Sequence, residues 1–209
     1  MSTATKHMPV VSKIFCSSTK ADFIVRNRPH VVNGGGFVVT DTSNQKVVFR
    51  IDGCPTIGVE GHLVLRDSDG SSLLFIRRKG GIVQALSVHK KWQGYLTDYE
   101  GAEKLVFSMK EPYSFLLRNR GSKIRGCIEP KMPNVDWDFE IKGSFVNRAC
   151  TINDRRGNIM AQVSAWGGVE YSMAGKDVYR VLVQPGFDHA FVFGVIAVLD
   201  YIYEESTSC

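Results

Sequence analysis

Pro185-Gly186-Phe187-Asp188-His189-Ala190-Phe191-Val192-Phe193-Gly194-Val195-Ile196-Ala197-Val198-Leu199-Asp200 is the stretch that decides the fold of this 209-residue chain. Pro185-Gly186 stops whatever precedes it, and Asp188 can N-cap a helix running to about Glu204. Phe187 and Val192 then take the positions of a hydrophobic staple. From Ala190 to Leu199 no polar side chain interrupts. A helix apolar on every side must be surrounded, by protein or by lipid. Ten such residues rise only about 15 Å, about half of what a bilayer span requires, so the surroundings are protein. Gly194 in mid-helix costs about 1 kcal/mol relative to Ala, which predicts a neighbouring backbone in close approach there.

Working back from this helix, the chain reads as short strands and tight turns. Gly36 to Thr40 and Lys46 to Ile51 flank Asp41-Thr42-Ser43-Asn44, and His62 to Arg66 and Leu73 to Arg77 flank Asp67-Ser68-Asp69-Gly70; both pairs predict hairpins. Val135 to Lys142 alternates apolar and charged residues at every step, the pattern of a strand with one wet face. Leu105, Phe107 and Met109 alternate likewise, as do Ile159, Ala161, Val163 and Ala165, and Asp177 to Gln184 forms a last strand. About a dozen strands and one all-apolar helix predict a mostly β (α+β) fold, a closed antiparallel barrel of about twelve strands around a buried C-terminal helix. Residues 1–20, rich in Ser, Thr and Lys, read as a flexible lead-in, and residues 21–209 as a single domain without internal repeats or a linker.

The formal charge of +5 favours anionic surfaces but falls well short of a dedicated nucleic-acid-binding composition. Five scattered cysteines without a C-x-x-C pair, and no N-x-Ser/Thr acceptor, suit a reducing compartment. No secretory signal, prenylation or myristoylation motif is read at either end. The expected location is intracellular, in the cytoplasm with a peripheral-membrane or nuclear pool.

Val88-His89-Lys90-Lys91-Trp92-Gln93, Asp138 to Phe145, Arg148-Ala149-Cys150, Ala161-Gln162-Val163, Gly175-Lys176-Asp177 and the run from Gln184 to Asp200 together resemble the plant LURP-one-related proteins, from about Val31 to Tyr203. That family is similar to the tubby C-terminal domain and the phospholipid scramblases, which implies a twelve-stranded barrel threaded by a hydrophobic helix. The resemblance also implies binding of membrane phosphoinositides, kinship with membrane-tethered transcription regulators, and a role in plant defence. No tubby lipid-binding motif maps onto this chain residue by residue, and the spanning or acylated segment of scramblases has no counterpart here.

Catalytic signatures are missing: there is no G-x-S-x-G, H-E-x-x-H, Walker loop or strand-to-helix G-x-G-x-x-G, so the expectation is a protein that is not an enzyme and uses no cofactor or metal. Gly34-Gly35-Gly36 reads as a strand lead-in, Asp67 to Gly70 as a hairpin turn, and Cys127 and Cys150 as core thiols. His189, beside Asp188, needs no role beyond the first helical turn.

The basic residues are the remaining candidates. Arg118, Arg120, Lys123 and Arg125 fall within eight residues that contain no acid, and a turn through Gly121-Ser122 can bring them alongside one another. Arg77, Arg78 and Lys79 form a second group, and Lys90 and Lys91 stand beside Trp92. These nine residues are the predicted contact for an anionic phospholipid headgroup, with peripheral membrane contact and no transmembrane span. Direct nucleic-acid binding is not expected, because no reading helix is available and aromatic interleaving is sparse. The alternatives are a carrier holding a small apolar ligand inside the barrel, and a protein–protein interaction scaffold.

Overall fold

The computed structural model describes residues 9–29, 35–53, 61–79, 91–111, 124–167 and 177–203. Twelve strands lie within them: β1 (Ala21–Arg28), β2 (Gly36–Asp41), β3 (Val47–Gly53), β4 (His62–Asp67), β5 (Ser72–Lys79), β6 (Lys91–Thr97), β7 (Glu103–Lys110), β8 (Ile124–Ile128), β9 (Phe139–Ser144), β10 (Ala149–Asp154), β11 (Ile159–Ala165) and β12 (Val178–Val183). Each pairs antiparallel with its neighbours in sequence, and β1 closes the ring on β12, with Phe23 level with Val181. Closure leaves no unpaired edge among the described strands.

A barrel of this size has a lumen too wide for its own wall side chains to fill, and α1 (His189–Ile202) fills it. Every residue from Ala190 to Asp200 is buried. Phe191 sits between Phe107 and Phe139, with ring centroids 5.6 and 5.2 Å away and near-perpendicular planes. Each of these wall rings lies over a glycine on the adjoining strand: Phe107 pairs across from Gly94, and Phe139 from Gly126. A Cβ at either glycine would come within 2.2 Å of the ring. The glycines therefore make the room in which the wall rings turn toward the helix. Phe193 packs near-perpendicular on Phe23 at 5.2 Å and tilted on Phe49 at 5.6 Å.

At Gly194 the close neighbour is a side chain and not the backbone expected from sequence: an added Cβ would lie 2.7 Å from Leu74 Cδ2. Asp188 caps the helix as anticipated, its Oδ1 accepting from the Phe191 N–H at 3.1 Å. Its other oxygen does more. Oδ2 accepts three successive backbone N–H groups, those of Val10, Val11 and Ser12, at 3.0, 2.7 and 3.0 Å. Beyond them, Phe15 lays its ring against Phe49 at 5.4 Å.

The alternating run from Val135 becomes a strand only at Phe139. Pro130 and Pro133 lack the N–H that a ladder needs, and Asn134 takes a left-handed φ of 61°, so residues 129–138 form a connection. Trp137 leaves the expected strand and lies under Arg125, whose guanidinium carbon is 4.7 Å from the ring centre. Cys150 is a core thiol, and burial pushes it up to about 12. Cys127 is not: it alternates with Gly126 and Ile128 onto the outer side of β8, half-buried, with Sγ 3.3 Å from the Asp136 carbonyl. Burial still raises its thiol, and Lys131 and Lys91 oppose that shift.

Candidate anion-binding surface

Strand alternation and register decide which basic side chains meet on the wall. On β5 the inner positions Leu74 and Ile76 alternate with Arg77 and Lys79. Lys79 stands level with Lys91 on β6, and Lys91 with Lys110 on β7. Met109 pairs with Gly126, so one further step of the same register brings Lys110 level with Arg125 on β8. Four cations therefore share one outer row across four consecutive strands. Strands run about 4.8 Å apart, so the row is about 14 Å long. Lys79, Lys110 and Arg125 are exposed and Lys91 is half-buried.

No carboxylate among the described residues forms an ion pair with Lys79, Lys91 or Lys110. Arg125 alone in the row is partnered, by Glu140 at 3.4 Å, and Glu140 is shared with Lys142 at 2.9 Å. Like charges side by side on one sheet face repel. Their spacing is shorter than the screening length of about 8 Å at physiological salt, so their fields add.

The remaining predicted residues fall elsewhere. Arg77, two positions from Lys79 on the same face, is paired with Glu103 and lies 5.6 Å over the Tyr95 ring. Arg78 belongs to the inner alternation and turns to the end of the barrel, where it holds the buried Glu111 at 3.1 Å and stands 5.9 Å over Tyr201 of α1. Lys90, Arg118, Arg120 and Lys123 lie outside the described residues. Lys110 was missed in the sequence; the signal was its place two positions beyond Ser108 on an alternating strand, but only the register shows what stands beside it.

A second cluster, on β1, β3 and β4, also went unread. Asp52 receives Arg28 at 2.8 Å, Arg50 at 3.0 Å and Arg66 at 2.8 Å. Burial acts to raise its carboxyl and is the largest single influence, yet hydrogen bonds from Arg66 and Arg50 and the charges of Arg50 and Arg28 together hold it below the usual range. One carboxylate thus gathers three guanidinium groups into a structural knot.

Other residues singled out from sequence have local duties. Asp67 Oδ1 accepts from the N–H groups of Asp69 and Ser71, at 3.0 and 2.8 Å, and closes the β4–β5 hairpin. Gly36 takes a φ of 108° at the start of β2. His189 packs edge-on to Phe23 at 5.1 Å, and burial lowers its basicity against the opposing pull of Asp188 and Asp41. Among the described residues, no three His, Cys, Asp or Glu side chains could hold a metal ion, and no helix is long and apolar enough to cross a membrane.

A closed antiparallel barrel of twelve strands, plugged by one hydrophobic C-terminal helix, is the architecture implied by the resemblance to tubby C-terminal domains. Within that class the chain belongs to the LURP-one-related family, whose model matches residues 21–200. It is 52% identical over 200 residues to Protein LURP-one-related 6 of Arabidopsis thaliana, covering 96% of this chain and 98% of that protein. Protein LURP-one-related 16 of the same plant is 47% identical over 208 residues, with 96% and 95% covered. For Protein LURP-one-related 5 the identity is 33% over 201 residues, with 93% and 89% covered.

Proposed function

We propose that this LURP-one-related protein is a non-enzymatic docking module that binds anionic phospholipid headgroups, phosphoinositides among them, and that docking places it in a regulatory or defence role at an intracellular membrane. The observation that supports this reading is the row Lys79, Lys91, Lys110 and Arg125, in which three of the four ammonium or guanidinium groups lack an ion-pair partner among the described residues. About 1 kcal/mol per basic residue near an anionic surface gives about 4 kcal/mol for the row, a dissociation constant of about 1 mM. Charge alone is too weak, so specific docking requires more phosphate contacts. Arg118, Arg120, Lys123 and Lys90 are the residues proposed to supply them.

The test is co-sedimentation of the full chain with phosphatidylcholine vesicles, alone, with phosphatidylserine, and with phosphoinositide. Binding is expected to rise in that order, to fall with added salt, and to be lost in the quadruple variant K79A/K91A/K110A/R125A. R118A/R120A/K123A is expected to lose the preference for phosphoinositide over phosphatidylserine. Phosphoinositide vesicles that retain no more protein than neutral ones end the proposal.

A further inference from the structure

A pocket of about 550 Å³ opens between the β8–β9 connection, the β10–β11 turn and the residue before the helix cap. It lies outside the filled lumen, at the end of the barrel away from Lys79, Lys91 and Lys110. Its volume is in the range of small-molecule sites. Ile128, Pro130, Met132 and Phe187 supply an apolar lining, and Met132 remains 57% exposed at the lip. A thioether on a flexible stem moulds itself to apolar guests of different shape.

The polar groups of this pocket divide into those already engaged and those left over. Asp154 Oδ1 accepts from the N–H groups of Arg156 and Asn158 at 2.9 and 2.8 Å, and its Oδ2 accepts from Asn158 Nδ2 at 2.9 Å. Asp138 Oδ2 accepts from the Ile128 N–H at 2.9 Å, and Glu129 Oε2 from the Lys131 N–H at 2.9 Å. Asp154 is thus committed through both oxygens, and Asp138 and Glu129 each through the one oxygen that holds the loop in shape. Arg155 and Arg156, both exposed in the turn, have no ion-pair partner among the described residues. What the pocket has in greatest surplus is donors, ten N–H groups on two guanidinium forks, beside an apolar floor.

The geometry points to a binding site for a small apolar monocarboxylic acid, its hydrocarbon or aromatic body against Ile128, Pro130, Met132 and Phe187 and its carboxylate on Arg155 and Arg156. Guanidinium and carboxylate match in planar, two-pronged geometry. The three carboxylates nearby penalise every added negative charge, which favours a monoanion over a phosphate dianion. This site is independent of the basic row in position and in ligand.

Isothermal titration of the full chain with hexanoate, octanoate and decanoate below their aggregation thresholds tests it, with octanol and octylamine as uncharged and cationic controls. Saturable one-to-one binding is expected, tightening with chain length, with octanoate at least tenfold tighter than octanol or octylamine. R155A/R156A should weaken octanoate about tenfold and leave octanol unchanged. Met132→Asp, at an exposed lip position where circular dichroism should find the fold intact, should weaken all three acids. K79A/K91A/K110A/R125A should bind octanoate as the unaltered chain does. Octylamine binding as tightly as octanoate, no saturable heat with any acid to millimolar concentration, or unchanged acid binding by Met132→Asp would each overturn the assignment.

Discussion

Asp188 Oδ2 lies 2.7 Å from the backbone nitrogen of Val11, a residue 177 positions earlier in the chain. With the N–H groups of Val10 and Ser12 converging on the same atom, the approach to β1 builds a small anion cradle around the side chain that caps α1. One carboxylate joins the approach to β1 to the start of α1 at the mouth of the barrel.

Replacing Asp188 is therefore predicted to cost more than the loss of a helix cap, which is about 1 kcal/mol. Ala leaves three cradle donors and the cap donor unanswered, and hydrogen bonds to a charged acceptor contribute about 1.5–3 kcal/mol each. Asn, ordinarily as good a cap as Asp, has only one acceptor atom to serve both sides. Urea unfolding should find Asp188→Asn and Asp188→Ala within about 1 kcal/mol of each other and both at least about 3 kcal/mol below the unaltered protein. An Asn variant of normal stability would show that the cradle contributes nothing.

Phe191→Asp removes a ring held by Phe107 and Phe139 and places an unpaired charge where no water reaches. Loss of a buried Phe alone costs about 3–5 kcal/mol, and the charge adds to that, so the variant should be unfolded or insoluble. Normal expression with an unchanged melting temperature would mean that the helix is not the core.

Gly126→Ala adds a single carbon, yet that carbon would stand 2.2 Å from Phe139 Cζ and 2.7 Å from the Ser108 carbonyl oxygen. Phe139 cannot retreat, since its other side is against Phe191. Overpacking of this kind costs about 1–3 kcal/mol. Thermal denaturation should show a fall of several degrees, whereas Gly157→Ala, where a Cβ meets nothing within 4 Å but φ is 87°, should cost only the backbone strain.

Asp52→Asn retains shape and removes the charge that gathers Arg28, Arg50 and Arg66. Partly exposed pairs contribute modestly, and three together suggest a loss of about 2 kcal/mol. Because the remaining guanidinium groups then repel, 0.5 M salt should reduce the deficit. A deficit that salt leaves unchanged would assign it to packing.

Acidification provides a further check. Burial lowers the basicity of His189, and burial followed by Arg77 lowers that of His62. The unfolded chain then binds more protons than the folded one, so stability is complete above the ordinary histidine value of about 6.5 and declines as pH falls below it, levelling off below the folded values. His189→Gln should flatten the slope between pH 6.5 and 5 without abolishing it, because His62 remains. A slope identical to that of the unaltered protein would show that His189 titrates normally.

The helix and its burial were legible because an unbroken apolar run too short for a bilayer has one solution. Hairpins at Asp41 to Asn44 and Asp67 to Gly70 were legible because their turn residues flank alternating strands. Lys110 and the Arg28–Asp52–Arg66 knot were not, since each depends on which residues stand level on strands far apart in sequence, and register leaves no mark on a single strand. The cradle at Asp188 was hidden for a related reason: Val10-Val11-Ser12 contributes only backbone donors, which no side-chain pattern announces. The alternation from Val135 misled because β8 pairs with the run only from Phe139 onward, and Asp138 turns its carboxylate to the Ile128 N–H in place of a ladder bond.

Ring closure by β12 and the plug behind it has a consequence for synthesis. The final fifteen or so residues of the described chain supply the interior, so a nascent polypeptide can hold its hairpins but has nothing to wrap them around. Synthesis must reach Ile202 before the barrel can bury its aromatic wall, and a chain that stops before Asp188 leaves an empty hoop exposed to chaperones and proteases.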